Sequence, residues 1–373
     1  MNLFEGTERI LVIKLRHIGD VLLTVPAIRA LKENFPRATV SALVNSGTEE
    51  MLTLNPLLDE VICFKREIKR LPLKGRISGE VGFVSDLRKK KFDMTVDLTG
   101  GDRPALIGFL TGAKYRLGYE PKGGFAGKRL FYTHLAHPLK DRTHTVLRDL
   151  GVLRGFGIDT RDLSVKIYSH PEDDAYVQRM LEAEGLKGPY VHAHPASRWL
   201  FKCWTDESMA FVFDKLQAEG LRVVITSGPE EKEMKKTASI ISRMRSKPVD
   251  LSGKLRLKHL AALSGKAAFF FGVDSAPMHI AAASGAKVVS IFGPSGAFDW
   301  GPWDNRAAGS RKVSGSPYPL KNGVQTFGSN VVIQMDWDCI PCGKDGCKGS
   351  KKSDCLDKLE PEFVWEIVKR AVA

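Results

Sequence analysis

At 373 residues the chain exceeds what one hydrophobic core usually sustains, and its 43% hydrophobic and 27% charged residues exclude a fibrous or disordered architecture. Its 56 Lys and Arg against 43 Asp and Glu leave +13 at pH 7, which attracts something anionic: nucleic acid, a phosphorylated glycolipid or an acidic membrane surface. The longest apolar stretches, such as 267–273, are too short to span a membrane. Lys14 and Arg16 interrupt what would otherwise read as the apolar part of a signal peptide, so a cytoplasmic location is expected.

In chain order, strands are expected at 10–15, 39–44, 60–64, 92–98 and 115–119, with helical patterns near 21–35, 48–54, 79–90, 103–111 and 143–155. Pro26 must start or kink the first helix, because an interior proline lacks the needed N–H. After a polar connection at 169–174 the plan repeats: strands at 190–194, 222–227, 249–251, 268–273 and 287–292, helices at 173–184, 206–219, 231–246, 257–264 and 276–284. This alternation predicts an α/β protein with two Rossmann-like domains built on parallel sheets. Residues 301–357 dissolve into Gly, Ser, Pro, Lys and Cys and read as a long loop or a small excursion, before a last helix at 361–372. The expected domains are 1–170, 171–358 including the Cys-rich loop, and a terminal segment 359–373 that packs back on the N-terminal domain.

In open parallel sheets ligands bind beyond the carboxyl ends of the strands, so the loops there are the ones to inspect. The first strand runs into Arg16-His17-Ile18-Gly19-Asp20, and neither G-x-G-x-x-G nor G-x-x-x-x-G-K-[ST] occurs, which argues against a dehydrogenase and a P-loop NTPase. Gly19 permits a sharp turn, and Asp20 either caps the helix or acts chemically. The strand 190–194 leads into Ser197, Arg198 and Lys202, a hydroxyl, guanidinium and ammonium suited to a diphosphate. His192 and His194 share a strand face and, with no third ligand in sight, read as packed or hydrogen-bonded rather than as a metal pair. Asp274-Ser275-Ala276-Pro277-Met278-His279 opens a helix whose N–H groups suit a phosphate, although Ser275 and His279 also fit simple capping and packing roles. Gly293 to Gly296 forms another small-residue turn after a strand.

Two further features stand apart. Basic residues gather at Lys65, Arg66, Lys69, Arg70, Lys74 and Arg76, and again at 88–91, as a solvated face or an anion-binding surface. Cys339, Cys342, Cys347 and Cys355 are spaced C-x2-C-x4-C-x7-C, which fits a zinc or iron–sulfur site or a reduced structural loop.

Taken together, the runs Lys14–Pro26, His194–Trp204, Gly272–His279 and Phe292–Ser295 resemble the lipopolysaccharide heptosyltransferases, the ADP-heptose-dependent enzymes of glycosyltransferase family 9, over nearly the whole chain. The run Arg198–Trp204 and the Cys-rich tail are most similar to the branch that adds the third heptose. The resemblance implies a GT-B fold with parallel sheets facing a central cleft, the acceptor held by the N-terminal domain and the nucleotide sugar by the C-terminal one. It implies an inverting transfer with Asp20 as general base and Lys202 on the phosphates. Ser197, Arg198, Glu230, Asp274, Ser275, Ala276, His279, Gly293 and Ser295 become donor-binding, and Gly19, Arg66, Lys69, Arg70, Arg116 and Arg142 acceptor-binding. No metal or cofactor is required on this reading. The partners are ADP-heptose and the lipopolysaccharide inner core, with peripheral attachment to the cytoplasmic face of the inner membrane and no nucleic acid.

The rivals are a GT-B transferase or epimerase using another nucleotide sugar, and a non-catalytic basic module for nucleic acid or membrane. The basic module predicts exposed aromatics, whereas Phe83, Phe92 and Phe109 fall at apolar positions of the expected elements.

Overall fold

A computed structural model describes residues 3–65, 67, 72–139, 142–310, 313 and 315–372. The chain divides into two compact units, Met1–Tyr168 and Ser169–Ala373.

The first unit runs β1 (Arg9–Lys14), α1 (Ile18–Leu22), α2 (Val25–Asn34), β2 (Thr39–Asn45), β3 (Glu60–Phe64), α3 (Leu73–Lys89), β4 (Met94–Asp97), α4 (Asp102–Leu110), β5 (Tyr115–Tyr119), β6 (His134–Ala136) and α5 (Thr145–Arg154). The six strands are all parallel, in the order β3-β2-β1-β4-β5-β6. β1 is covered on both faces and is buried from Ile10 to Lys14, as a central parallel strand must be. Leu11, Ile13, Leu43, Phe64 and Leu87 form one core beneath it. Pro26 lies in the first turn of α2, where its missing N–H leaves no bond unmade.

The second unit runs α6 (Pro171–Ala183), β7 (Tyr190–His194), α7 (Asp206–Ala218), β8 (Arg222–Ile225), α8 (Glu231–Ile241), β9 (Val249–Asp250), α9 (Leu257–Lys266), β10 (Phe269–Val273), α10 (Ala276–Ala283), β11 (Val288–Ile291), α11 (Ala297–Trp300), α12 (Asn305–Ser310), β12 (Gln325–Phe327), β13 (Asn330–Ile333), α13 (Asp354–Asp357) and α14 (Pro361–Val372). Its sheet reads β12-β13-β11-β10-β7-β8-β9, parallel except where β12 folds back on β13. Apart from that hairpin, both sheets follow the same plan, which is the Rossmann strand order.

Several expectations need correction. The stretch expected as a helix at 48–54 forms only a single tight turn, Glu49–Met51, because the chain reverses through Leu54 at φ 67° just before Asn55-Pro56. The helix expected at 79–90 begins six residues earlier, directly after Pro72. Residues 301–357, read as a long loop or a small excursion, contribute β13, which extends the sheet beyond β11, and β6 was likewise not foreseen. The terminal helix α14 packs on α7, and Val364, Trp365 and Val368 enter the second unit's core beside Trp204, Phe213 and Phe271.

One ion pair ties the first unit together from inside. Lys14 Nζ at the end of β1 donates to both carboxylate oxygens of Asp149 in α5, at 2.8 and 2.7 Å, and to Leu98 O at 3.0 Å, with both side chains about 5% exposed. Burial pushes the Asp149 carboxyl up to about 6 despite Lys14, with added repulsion from Asp20. Removing one buried partner strands the other, whereas replacing both with apolar groups strands nothing. Lys14→Met or Asp149→Leu alone is therefore expected to lower unfolding free energy by about 3–5 kcal/mol, and the double variant to recover most of that loss, as read by denaturant melts. A raised carboxyl binds its proton more tightly folded than unfolded. Its contribution is thus present at acid pH and lost as pH rises from the ordinary carboxylate range through about 6, a slope that should vanish in the double variant.

Candidate functional site: two strand-order reversals

In each sheet the chain begins at a central strand, builds outward on one side, then returns and builds outward on the other. The loops leaving the two strands at that reversal part to opposite faces and open a crevice between them. In the first unit the crevice lies between β1 and β4, and in the second between β7 and β10.

At the first reversal, Leu15 N–H donates to Thr99 Oγ1 at 2.9 Å and Arg16 Nη2 to Thr99 O at 3.0 Å, joining the loops after β1 and β4. Asn45, ending β2, donates to Arg16 O at 3.0 Å. Asp20 is the third residue of α1, not its cap: His17 holds that position, and the Asp20 carboxylate lies half-buried in the positive first turn. Gly19 is buried beneath it. The adjoining loop is fixed by Asp97, whose Oδ1 accepts from Thr99 N and Gly100 N at 2.7 and 3.0 Å and whose Oδ2 accepts from Tyr132 at 2.6 Å. Burial pushes the Asp97 carboxyl up, opposed by these donors and Lys128. Lys128 Nζ donates to Gly100 O at 2.8 Å and pairs with Asp102 at 3.2 Å.

The arginines expected to bind the acceptor separate. Arg142 is exposed in the loop between β6 and α5, with left-handed backbone at φ 62°, and so stands at the same carboxyl end of the sheet as Asp20. Arg116 lies in the first half of β5, and its guanidinium donates to Ala113 O and Phe131 O, both at 2.7 Å, which spends it on the opposite edge. Arg66, Lys69 and Arg70 lie outside the described residues.

At the second reversal, the Lys202 ammonium after β7 meets the Asp274 carboxylate after β10 at 2.7 Å, with Asp274 nearly buried and Lys202 23% exposed. The strands approach closely because residue 272 is glycine: a Cβ there would stand 2.6 Å from His194 O. Ser275 caps α10 by position without a side-chain capping bond, and its Oγ is buried with no hydrogen-bond partner. Ala276 opens the helix and His279 is buried one turn on. Ser197 is buried and its Oγ accepts from Trp199 N at 3.3 Å.

Beside this pair, the loop after β8 brings exposed Glu230 to the start of α8. Arg198 and Lys232 flank the half-exposed Trp199 ring, 5.4 and 5.9 Å from its centroid. Gly293 and Ser295 follow β11, and the sequence reading missed what positions them: Gln334, just past β13, donates through Nε2 to Gly293 O at 2.6 Å and Ser295 O at 2.8 Å. The only available signal was a polar residue ending the apolar run Val331–Ile333.

The histidine pair is structural. His192 places Nδ1 2.7 Å from Ser264 Oγ and Nε2 2.8 Å from Thr226 Oγ1, and His194 Nδ1 is also 2.8 Å from Thr226 Oγ1. Burial pulls His194 down to about 3 and His192 well below its ordinary value, so both are neutral. Of the four clustered cysteines, Cys339 and Cys342 are exposed, Cys347 intermediate and Cys355 buried, all as free thiols. Burial and its three neighbours push the Cys355 thiol up to about 12. Among the described residues, no group of three or more His, Cys, Asp or Glu is arranged to hold a metal ion.

The profile of Glycosyltransferase family 9 (heptosyltransferase) matches residues 82–324. Lipopolysaccharide heptosyltransferase 3 of Escherichia coli K12 is 35% identical over 293 residues, covering 78% of this chain and 83% of that protein, and a second E. coli protein of that name is 33% identical over 294 residues, covering 78% and 85%. Among solved structures, the glycosyl transferase family 9 protein of Veillonella parvula DSM 2008 superposes with a TM-score of 0.78 at 22% identity, covering 100% of this chain and 98% of that one. The E. coli heptosyltransferase WaaC with ADP gives 0.70 at 18% identity, covering 97% and 99%. The architecture is thus GT-B, and with the profile matching well over half of the chain and a third of the aligned positions shared with curated relatives, the chain belongs to glycosyltransferase family 9, the heptosyltransferases.

Proposed function

We propose that this enzyme moves heptose from ADP-heptose to the inner core of lipopolysaccharide with inversion at the anomeric carbon, working at the cytoplasmic face of the inner membrane. The names of its relatives support the acceptor class, and the ADP bound to WaaC supports the donor. The carrying observation is the second reversal, where an accessible ammonium, a helix N-terminus and the unpartnered Ser275 hydroxyl adjoin the Asp274 carboxylate.

The reading assigns the donor to the second unit. As the acceptor oxygen attacks the anomeric carbon, the bond from that carbon to the β-phosphate oxygen breaks and ADP leaves with the electron pair. Lys202 and the α10 amides meet the charge that grows on the phosphate, and preorganised donors stabilise it more than the ground state. Ser275 supplies a hydroxyl whose bonding capacity is unspent within the protein. Asp274 holds Lys202 in place beforehand and, once the phosphates share the ammonium, turns to the heptose hydroxyls. Ser197, Arg198, Ala276, His279, Gly293 and Ser295 line the phosphates and sugar, with Glu230 toward the nucleoside. Asp20 takes the acceptor's proton, with Gly19 beside it, Arg142 at the same carboxyl end of the sheet, and Arg66, Lys69 and Arg70 contributing positive charge to the acceptor's anionic groups.

The test mixes purified protein with ADP-heptose and heptose-deficient lipopolysaccharide acceptors and measures ADP release. Asp20→Asn is expected to lower kcat by about 10²–10⁴, and Lys202→Met to lower it by about 10²–10³, with folding intact by circular dichroism. Wild-type turnover by Asp20→Asn would remove that carboxylate from the chemistry, and activity only with another nucleotide sugar would discard the donor.

The two arginines give a separate expectation. Arg142→Glu should raise the acceptor KM at least several-fold while sparing the donor KM, as should charge reversal at Arg66 and Lys69. Arg116→Met should lower the melting temperature and leave both constants near wild type, because its guanidinium already serves backbone carbonyls.

A further inference from the structure

We propose that the layer formed by α3, α4 and the turn Lys128–Phe131 is the surface on which the protein lies against an anionic phospholipid bilayer. This inference rests on the reading above, in which the acceptor is a membrane glycolipid, and it names the face that meets the membrane.

Topology puts these three elements together. The crossovers from β3 to β4, β4 to β5 and β5 to β6 all run the same way across the sheet. Right-handed connections therefore stack their elements on one face and leave α2 and α5, which pack on each other, to the opposite face. Arg103 of α4 pairs with Glu80 of α3 at 3.2 Å, and Phe109 of α4 stacks on Phe131 of the turn at 4.6 Å, so the layer is continuous.

Its outer surface is unusually apolar. On α3, Leu73, Ile77 and Val81 recur every fourth residue and are 72%, 55% and 63% exposed. Leu106 and Phe109 continue the exposed apolar surface on α4, and Leu130, 77% exposed, does so on the turn. Phe109 thereby departs from the buried position expected of it.

The accompanying charge is positive. Of the acids on α3, Glu80 is held by Arg76 and Arg103, and Asp86 by Lys89 at 2.9 Å. Lys74 and Arg88 add further charge to that helix, Asp102 of α4 is held by Lys128 at 3.2 Å, and Arg129, exposed beside Leu130, reaches Glu120 at 3.4 Å. Aliphatic side chains ringed by cations match an anionic bilayer, where hydrocarbon accepts the one and lipid phosphates the other. Single-stranded nucleic acid would call for open aromatic faces, yet Phe109 is stacked on Phe131 and the remaining exposed groups are mostly aliphatic. A second copy of the same face would bring like charge against like charge.

Co-sedimentation of the full chain with vesicles, without substrate, tests this. Wild type is expected to bind vesicles of phosphatidylglycerol and phosphatidylethanolamine at about 0.15 M salt, a condition under which long-range surface attraction is already screened, and to ignore pure phosphatidylcholine. Leu73→Ser/Ile77→Ser/Val81→Ser should weaken binding at least tenfold, and Lys74→Glu/Arg76→Glu should abolish the anionic preference. Ile77→Trp, which relies on no loss of function, should show a blue-shifted emission with anionic vesicles alone. Transfer to a water-soluble, deacylated acceptor should be unchanged in the triple serine variant and in Ile77→Trp. Vesicle binding by the triple variant equal to wild type, or an emission from the Ile77→Trp variant that anionic vesicles leave unshifted, would overturn the proposal, as would dissociation of a wild-type dimer by the triple variant. Binding is read without turnover, so it stands or fails independently of the transfer reaction.

Discussion

A parallel strand reaches its neighbour only by carrying the chain across a face of the sheet, and the first strand of each unit has neighbours reached by crossovers running in opposite directions. The backbone leaves β1 for one face and β4 for the other, as it does from β7 and β10. No regular element fills the space between such diverging loops. The reversal therefore creates a crevice as a consequence of topology, before any side chain is chosen. What the sequence adds is charge: the half-buried Asp20 carboxylate in the first turn of α1 at the first reversal, and a half-open cation paired to a carboxylate at the second.

The two lysine–aspartate pairs show how burial divides structure from chemistry. Lys14 and Asp149 are enclosed, and the ammonium also binds the Leu98 carbonyl, so the pair has little capacity left for a ligand. It joins β1 to α5, close enough to the short helix α1 for Asp20 to repel the Asp149 carboxylate. Lys202 retains solvent access while Asp274 does not. An ammonium in that state is held in position by one partner and still free to gain another, at a smaller desolvation penalty than a buried ion would meet. The same residue types at equally short distance thus do different work because one pair is closed and the other open.

The repeated alternation of strand and helix made the α/β plan legible, because buried parallel strands such as Phe269–Val273 leave strong apolar runs and Gly-Asp or Asp-Ser turns mark where they end. Elements were lost where that signal was weak. β6 is three residues long, and β13 lies among Gly, Ser and Asn, although the Gly328-Ser329 turn before Asn330 is itself a hairpin signal. The site was legible where several residues crowd one short loop, as in 197–202 and 274–279. It was illegible where partners are distant in sequence: nothing local announces that Asp149 meets Lys14 or that Gln334 holds Gly293. Arg116 illustrates the converse failure, since a basic residue in a strand looks the same whether it faces an anion or ties down two carbonyls.

The Cys-rich tail is built into the loops that follow β7 and β11. Ser353 donates to Phe201 O at 2.6 Å within the loop that carries Lys202, and Gly343 N–H donates to Pro294 O at 2.9 Å in the loop after β11. Trp204 donates to Leu359 O at 3.1 Å, and Leu356 packs so closely on Gly293 that a Cβ there would lie 2.7 Å from its methyl carbon. Cys355, with its thiol raised to about 12, stays protonated at neutral pH and packs as a small apolar group in the same core. A loop that must present an ammonium and amide donors at fixed positions gains little from its own short contacts, since each exposed hydrogen bond exchanges readily with water. Support from a segment some 150 residues further on, anchored in turn by α14 against α7, holds the Lys202 loop in place, and on the proposed reading that preorganisation is what lets the ammonium meet a growing charge without moving.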